Sequence, residues 1–163
     1  MPWWRSFERE GVGPLPRVEV SRTVPASPEA VYAFLQRMEE FPRYMKSVDE
    51  VRVLERGEGF TVTRWATRLH GAPFRWTERD EFDDREWRVR YRLVEGDLKR
   101  FEGEWILEPS GGATAVTLTV DFEFGMPMIA SLLNPVARLM IRENVMDMLA
   151  AVERALAEGG DAP

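Results

Sequence analysis

The sequence contains no cysteine and only one histidine, His70. The first absence removes disulfides, a thiol nucleophile and thiolate metal ligation. The second removes three-histidine zinc sites and the H-E-x-x-H motif, and leaves little room for Ser-His-Asp chemistry. Lysine occurs only as Lys46 and Lys99, and Asn plus Gln only as Gln36, Asn134 and Asn144, while arginine is abundant. That bias fits a GC-rich genome or a warm habitat and speaks to source more than to function. No apolar run reaches the roughly 18 residues of a membrane span. The opening MPWWRSFEREGVGPLP lacks the apolar stretch of a secretory signal, so the expected location is the cytoplasm. There is no G-x-x-x-x-G-K-[ST] phosphate cradle and no G-x-S-x-G elbow. Gly11-Val12-Gly13 lacks the third glycine of a dinucleotide site, and no carboxylate spacing marks an EF-hand. No cofactor and no metal are expected. A net charge of −6 argues against nonspecific nucleic-acid binding, which needs a basic face.

What is present is a globular balance. The chain has 163 residues, 44% hydrophobic and 31% charged, enough for one domain with a real core. Residues 1–16 read as an arm, punctuated by Gly11, Gly13, Pro14 and Pro16, in which Trp3 and Trp4 could pin the segment to a surface. Residues 17–158 read as a single domain and 159–163 as a tail.

Within that domain Arg17–Thr23 alternates and predicts a first strand. Ser27-Pro28-Glu29 supplies an N-cap, a first-turn proline and an acid for the dipole. Val31, Phe34, Leu35 and Met38 then share one helical face. Pro42 breaks the pattern, so Phe41–Lys46 is a second short helix. Six strands follow, at about 48–56, 59–70, 73–82, 86–94, 100–109 and 113–124, parted by turn signals such as Arg56-Gly57-Glu58-Gly59 and Ser110-Gly111-Gly112. Short turns between successive strands make an antiparallel meander. Met126–Glu158 has helical spacing, with Asn134-Pro135 as a kink or a fresh cap and Gly159-Gly160 as the stop.

Alternation assigns the side chains to faces. Arg88, Arg90, Arg92, Glu102, Glu104, Thr117 and Thr119 fall on one face, where exposed cross-strand pairs worth about 0–1 kcal/mol each provide register and solubility. Phe74, Trp76, Tyr91, Phe101, Trp105, Phe122 and Phe124 fall on the other. The long final helix is the element left to cover them, which is an α+β solution. Its methionines, Met126, Met128, Met140, Met146 and Met148, suit an irregular apolar surface. From its pattern the stripe reads first as a filled core and second as the wall of a cavity. In the third strand the Thr61, Thr63, Trp65 and Thr67 set is placed inside, because Arg64 and Arg68 match the arginine-rich exterior.

Glu78 and Asp80 break the pattern, since they share parity with Trp76 and Phe82 and a buried unpaired carboxylate is expensive. A bulge could turn them outward. They could lie at a cavity mouth, wet or paired with arginine, or be pocket acids with raised pKa. His70, before Gly71, reads as an exposed turn residue.

The order strand, two helices, six strands, long helix resembles the START-like, or SRPBCC, superfamily with its helix-grip fold. The segments VEVSRTVPASPEAVYAFLQRMEEFPRYMKSVDEVRVLER, WTERDEF, FEGEWILEP and VTLTVDFEFGMP are similar to the polyketide cyclase/dehydrase and coenzyme-Q-binding branches over about residues 17–157. The resemblance implies a seven-stranded antiparallel sheet wrapped around the C-terminal helix, with a deep cavity between them. It further implies an apolar small-molecule partner contacting Trp65, Phe74, Trp76, Tyr91, Phe101, Trp105, Phe122 and, on the last helix, Met128, Leu132 and Met140. The aromatase/cyclase branch carries an aromatic-x-Trp pair, matched here by Phe74-Arg75-Trp76. Four residues on it carries a functional arginine, and here that position is Asp80.

Three functions remain open at this point. The leading expectation is a noncatalytic binder or carrier of a lipid, quinone or polyketide-like aromatic. The alternative is a polyketide aromatase/cyclase or dehydratase with Glu78 and Asp80 as acid/base groups and Tyr91 as a hydroxyl donor. The third is a protein-interaction module. Oligomeric state is not legible in the sequence.

Overall fold

The computed structural model describes residues 16–123 and 127–159, with side chains for 16–123 and 135–158. The arm up to residue 15, Phe124, and the side chains of Met126, Met128, Leu132 and Leu133 therefore lie outside the described residues. The elements are β1 (Arg17–Val24), α1 (Pro28–Leu35), a 3₁₀ turn at Met38–Glu40, α2 (Phe41–Tyr44), β2 (Val48–Gly57), β3 (Phe60–Leu69), β4 (Ala72–Asp83), β5 (Arg88–Gly96), β6 (Arg100–Ser110), β7 (Ala113–Glu123) and α3 (Pro127–Gly159). The strands form one antiparallel sheet in the order β1-β7-β6-β5-β4-β3-β2. The meander runs from β2 to β7, and β1 returns to pair with β7 at the far edge. The layout is the helix-grip fold.

Local chemistry explains the joints. The Ala30 amide donates to Ser27 Oγ at 3.2 Å, so Ser27 caps α1, and Pro28 sits where no amide is needed. Ser27→Ala is expected to lower stability by about 1 kcal/mol in a urea melt, and an unchanged midpoint would show the cap to be dispensable. α3 continues through Pro135 without interruption. Ile141, Val145, Met148, Leu149, Val152 and Ala155 are its buried stripe, at spacings of three and four. That stripe crosses the concave face of the sheet and touches β1, β3, β7, α1 and α2. Arg154 Nη2 donates to the Tyr44 carbonyl at 2.6 Å and Arg22 Nε to Glu153 at 2.8 Å, pinning the last turns of α3 to α2 and β1.

Two expectations change here. Met146 is exposed and Met140 half-buried, so only Met148 of the described helix methionines faces the interior. The helical turn simply carries residues 140 and 146 past the buried stripe. The outer face is also less wet than alternation predicts, because Glu102 and Glu104 are each only 8% exposed. Arg88 and Arg90 both approach Glu104 at 3.8 Å, and Arg100 pairs with Glu102. Long arginine stems lie over shorter glutamates on these central strands.

Candidate functional site

The site is built by β3 and β4, whose register sets Trp65 opposite Trp76, Thr63 opposite Glu78 and Thr61 opposite Asp80. All of these side chains point into the concave face. The two indoles stack with centroids 5.5 Å apart and planes 7° from parallel. Phe41 from α2 packs against both Trp65 and Trp105, at 5.7 and 6.1 Å.

Glu78 and Asp80 are buried, at 4% and 0% exposure. A bulge does exist, but it lies on the neighbouring strand. Thr77 pairs with Glu95 and Glu78 with Leu93, so the extra residue is Val94 of β5. β4 therefore keeps its alternation, and the outward turn that a bulge in β4 would give does not occur. Nor does an arginine neutralise the pair, since among the described residues neither carboxylate has an ion-pair partner.

Neutral donors serve them instead. Trp76 Nε1 donates to Glu78 Oε1 at 2.6 Å, and Thr63 and Thr61 hydroxyls donate to Asp80 Oδ2 at 2.7 and 3.2 Å. Trp65 Nε1 donates to Thr63 Oγ1 at 3.0 Å, which orients that hydroxyl toward Asp80. Asp80 Oδ1 is buried with no donor from any of these groups. The adjacent Glu78 carboxyl shifts the pKa of Asp80 and is shifted by it. Burial raises the pKa of Glu78 well above the ordinary value, and the charge and hydrogen bonding of Asp80 raise it further. Burial also raises Asp80, against the lowering effect of its bonds to Glu78, Thr63 and Thr61. Both carboxyls are thus displaced toward the protonated form, Glu78 the more strongly.

Glu78 lines an interior cavity of about 50 Å³ between sheet and α3. Trp65, Phe74, Trp76, Tyr91, Phe101 and Trp105 line it too. Phe122 is fully buried but outside that wall, and Met140 is also outside it. Leu98 in the β5–β6 turn and Ile141 and Asn144 on α3 also line it, with no role in the sequence reading, and Met38, expected only on the apolar face of the first helix, lines it too. Asn144 is detectable in the sequence, because it stands one turn before Met148 and next to Val145. Leu98 carries no periodic signal. A cavity of this size holds only a few waters, because the stacked indoles and Phe101, 5.0 Å from Trp76, fill most of the concave space.

Tyr91 crosses this wall. It pairs with Asp80 on one side and Gly103 on the other, and its hydroxyl donates to the Thr119 carbonyl of β7 at 2.5 Å. The Thr119 side chain in turn accepts the Glu104 amide at 3.0 Å. Burial, and then the charge of Glu78, raise the Tyr91 pKa well above the usual phenol value. Its hydroxyl proton is committed to the backbone, so the structure gives Tyr91 a wall-forming position. His70 is an exposed turn residue at φ 51°, paired with Glu143 Oε2 at 2.7 Å. Among the described residues no three metal-ligating side chains converge, and no helix is long and apolar enough to cross a membrane.

Comparison with known proteins agrees with this layout. Residues 24–149 match the polyketide cyclase/dehydrase and lipid transport family. The actinorhodin polyketide synthase bifunctional cyclase/dehydratase of Streptomyces coelicolor is 33% identical over 94 residues, which is 56% of this chain and 30% of that protein. The chain thus matches about a third of the length of that curated relative. The crystal structure of TTHA0849 from Thermus thermophilus superposes with a TM-score of 0.84 at 34% identity, over 88% of this chain and 99% of the other. The Zhui aromatase/cyclase from a Streptomyces species superposes at 0.83 and 22% identity, over 91% and 98%, a likeness of fold.

Proposed function

This chain belongs to the polyketide cyclase/dehydrase and lipid transport family, and from that premise we propose that it catalyses ring closure or dehydration of a polyketide-like substrate held against Glu78. The observation that carries the reading is a buried glutamate in an apolar cavity wall, its pKa raised by burial, with a second carboxyl behind it and, among the described residues, no ion-pair partner. A group of this kind is matched to proton transfer near neutral pH. In a dehydration the Glu78 proton goes to the departing hydroxyl, the C–O bond breaks, and water leaves. The resulting carboxylate then takes the proton from the adjacent carbon as the C=C bond forms, which restores Glu78. In ring closure the same group protonates the carbonyl oxygen as the new C–C bond forms, and its carboxylate accepts the proton lost from the nucleophilic carbon. Asp80 does not line the cavity and acts through Glu78, as a positioning residue. Asn144 is a polar group on the wall available to substrate oxygens, whereas the Thr67 hydroxyl is committed to the Ser47 carbonyl at 2.8 Å.

This ordering reverses the leading expectation of a noncatalytic carrier, because the family and the curated relative favour the catalytic alternative. The apolar lining favours carriage as a second reading. The deciding assay gives the purified protein a linear poly-β-carbonyl thioester and follows aromatic absorbance. Acceleration over the spontaneous reaction is expected. Tight binding without acceleration would leave the carrier.

A further inference from the structure

We infer that the outer face of the sheet carries an anion site, in the groove where β5 and β6 part, that holds the charged end of an amphipathic ligand whose apolar body reaches the interior cavity. The inference deepens the proposed function and rests on it for what occupies the cavity.

The strands part for a local reason. β5 and β6 pair only from Arg88–Arg92 against Glu102–Ile106, although β5 runs on to Gly96 and β6 begins at Arg100. The turn between them is tied to β4 instead. The Arg75 amide donates to Asp97 Oδ2 at 2.8 Å and the Asp97 amide to the Arg75 carbonyl at 3.1 Å. The bulge at Val94 draws β5 the same way. A groove of about 450 Å³ is left beyond Arg92 and Glu102.

Its wall is basic. Arg79, Arg90, Arg92, Lys99 and Arg100 line it, against the carboxylates of Glu81 and Glu102, in a chain whose net charge is −6. Arg79 pairs with Glu81, Arg90 with Glu104 and Asp83, Lys99 with Glu123, and Arg100 with Glu102. Arg92 has no ion-pair partner among the described residues, and it stands directly opposite Arg79 in the β4–β5 register. Like charges directly opposite each other destabilise a sheet, and an anion between them reverses the sign. Guanidinium groups also fit carboxylate and phosphate with paired hydrogen bonds.

The groove and the cavity share a wall. Tyr91 and Phe101, ring centroids 5.8 Å apart, line both. The cavity alone, at about 50 Å³, falls short of the roughly 300–1,000 Å³ of small-molecule sites, so the inferred ligand extends beyond it to the groove. The ligand class is therefore a carboxylate or phosphate joined to an apolar, ring-bearing body.

Two probes separate the halves: the anion 8-anilinonaphthalene-1-sulfonate and neutral N-phenyl-1-naphthylamine, titrated by fluorescence. Arg92→Glu is expected to weaken the anionic probe about tenfold and Arg92→Gln about threefold. The neutral probe should stay within about twofold, which also reports an intact fold. Salt should weaken the anionic probe alone. Equal weakening of both probes, or no response of the anionic probe to Arg92→Glu, overturns the site. Displacement of that probe by millimolar inorganic phosphate overturns the amphiphile in favour of a free anion. No turnover is read, so a failed cyclisation assay with the probe difference intact faults the proposed function and leaves the anion site standing.

Discussion

Glu78→Gln is expected to lower turnover of a poly-β-carbonyl substrate by about 10²–10⁴-fold, the usual contribution of a positioned proton donor, while making the protein more stable at neutral pH. Glutamine keeps the geometry. Its carbonyl accepts from Trp76 Nε1, as Oε1 does at 2.6 Å, and its amide offers a donor on the side of Asp80, whose Oδ1 has no hydrogen-bond partner. The stability sign follows from linkage. Glu78 is raised above its ordinary value of 4.5, so the folded chain holds a proton that the unfolded chain releases. Stability of the wild type then falls as pH rises above about 4.5 toward the folded pKa. Removing the acid removes that slope. The variant should match the wild type near pH 4 and exceed it at pH 7–8, by about 2–4 °C in Tm for each kcal/mol released. Calorimetry across pH reads this directly. Unchanged turnover would remove Glu78 from the chemistry, and a variant less stable than the wild type at pH 8 would show that Glu78 is not held protonated.

Gly103→Ala is expected to be the most destabilising single methyl in the sheet. A Cβ built at Gly103 would stand 1.9 Å from the Thr119 carbonyl oxygen and 2.7 Å from the Tyr91 hydroxyl. The first neighbour is backbone and cannot swing away. Overpacking of this kind costs about 3 kcal/mol or more, equivalent to a Tm lower by roughly 6–12 °C. Adding Tyr91→Phe tests which contact dominates. If the carbonyl is the obstacle, the double variant stays as unstable as Gly103→Ala, or less stable, because the carbonyl also loses its donor. Recovery of Tm in the double variant would assign the clash to the phenol instead. A Tm within about 2 °C of the wild type for Gly103→Ala alone would contradict the close approach of β6 and β7.

The sheet is readable in the sequence because its inner and outer sets differ so sharply in chemistry. Arg64 and Arg68 alone suffice to place Trp65 and its threonines inside, and Thr61, Thr63, Trp65 and Thr67 are all buried. The helix cap at Ser27 and the START-like layout are legible for similar reasons, one a local hydrogen-bonding rule and the other an order of elements. The orientation of Glu78 and Asp80 is harder to read, because the decisive irregularity sits in β5. Parity with Trp76 and Phe82 points Glu78 and Asp80 inward, but β4 alone does not say which strand carries the bulge, and the extra residue is Val94 of β5. The groove is invisible in the sequence because it depends on where a ladder stops. The turn at Asp97 chooses β4 over β6 through one backbone pair and the Asp97 carboxylate, and an Asp in a Gly-Asp turn reads equally well as an ordinary turn residue.

The placement of β1 constrains how the chain can assemble on a ribosome. Arg17 pairs with Asp121 and Val24 with Thr114, so within this sheet the earliest strand in chain order waits for the latest as its partner. Until β7 emerges, the apolar side chains of β1 have no ladder to join, while β2 to β6 can zip as successive hairpins. Contacts of such long range close slowly, and the β7 edge that β1 must join stays exposed in the meantime, open to the aggregation that waiting strands invite.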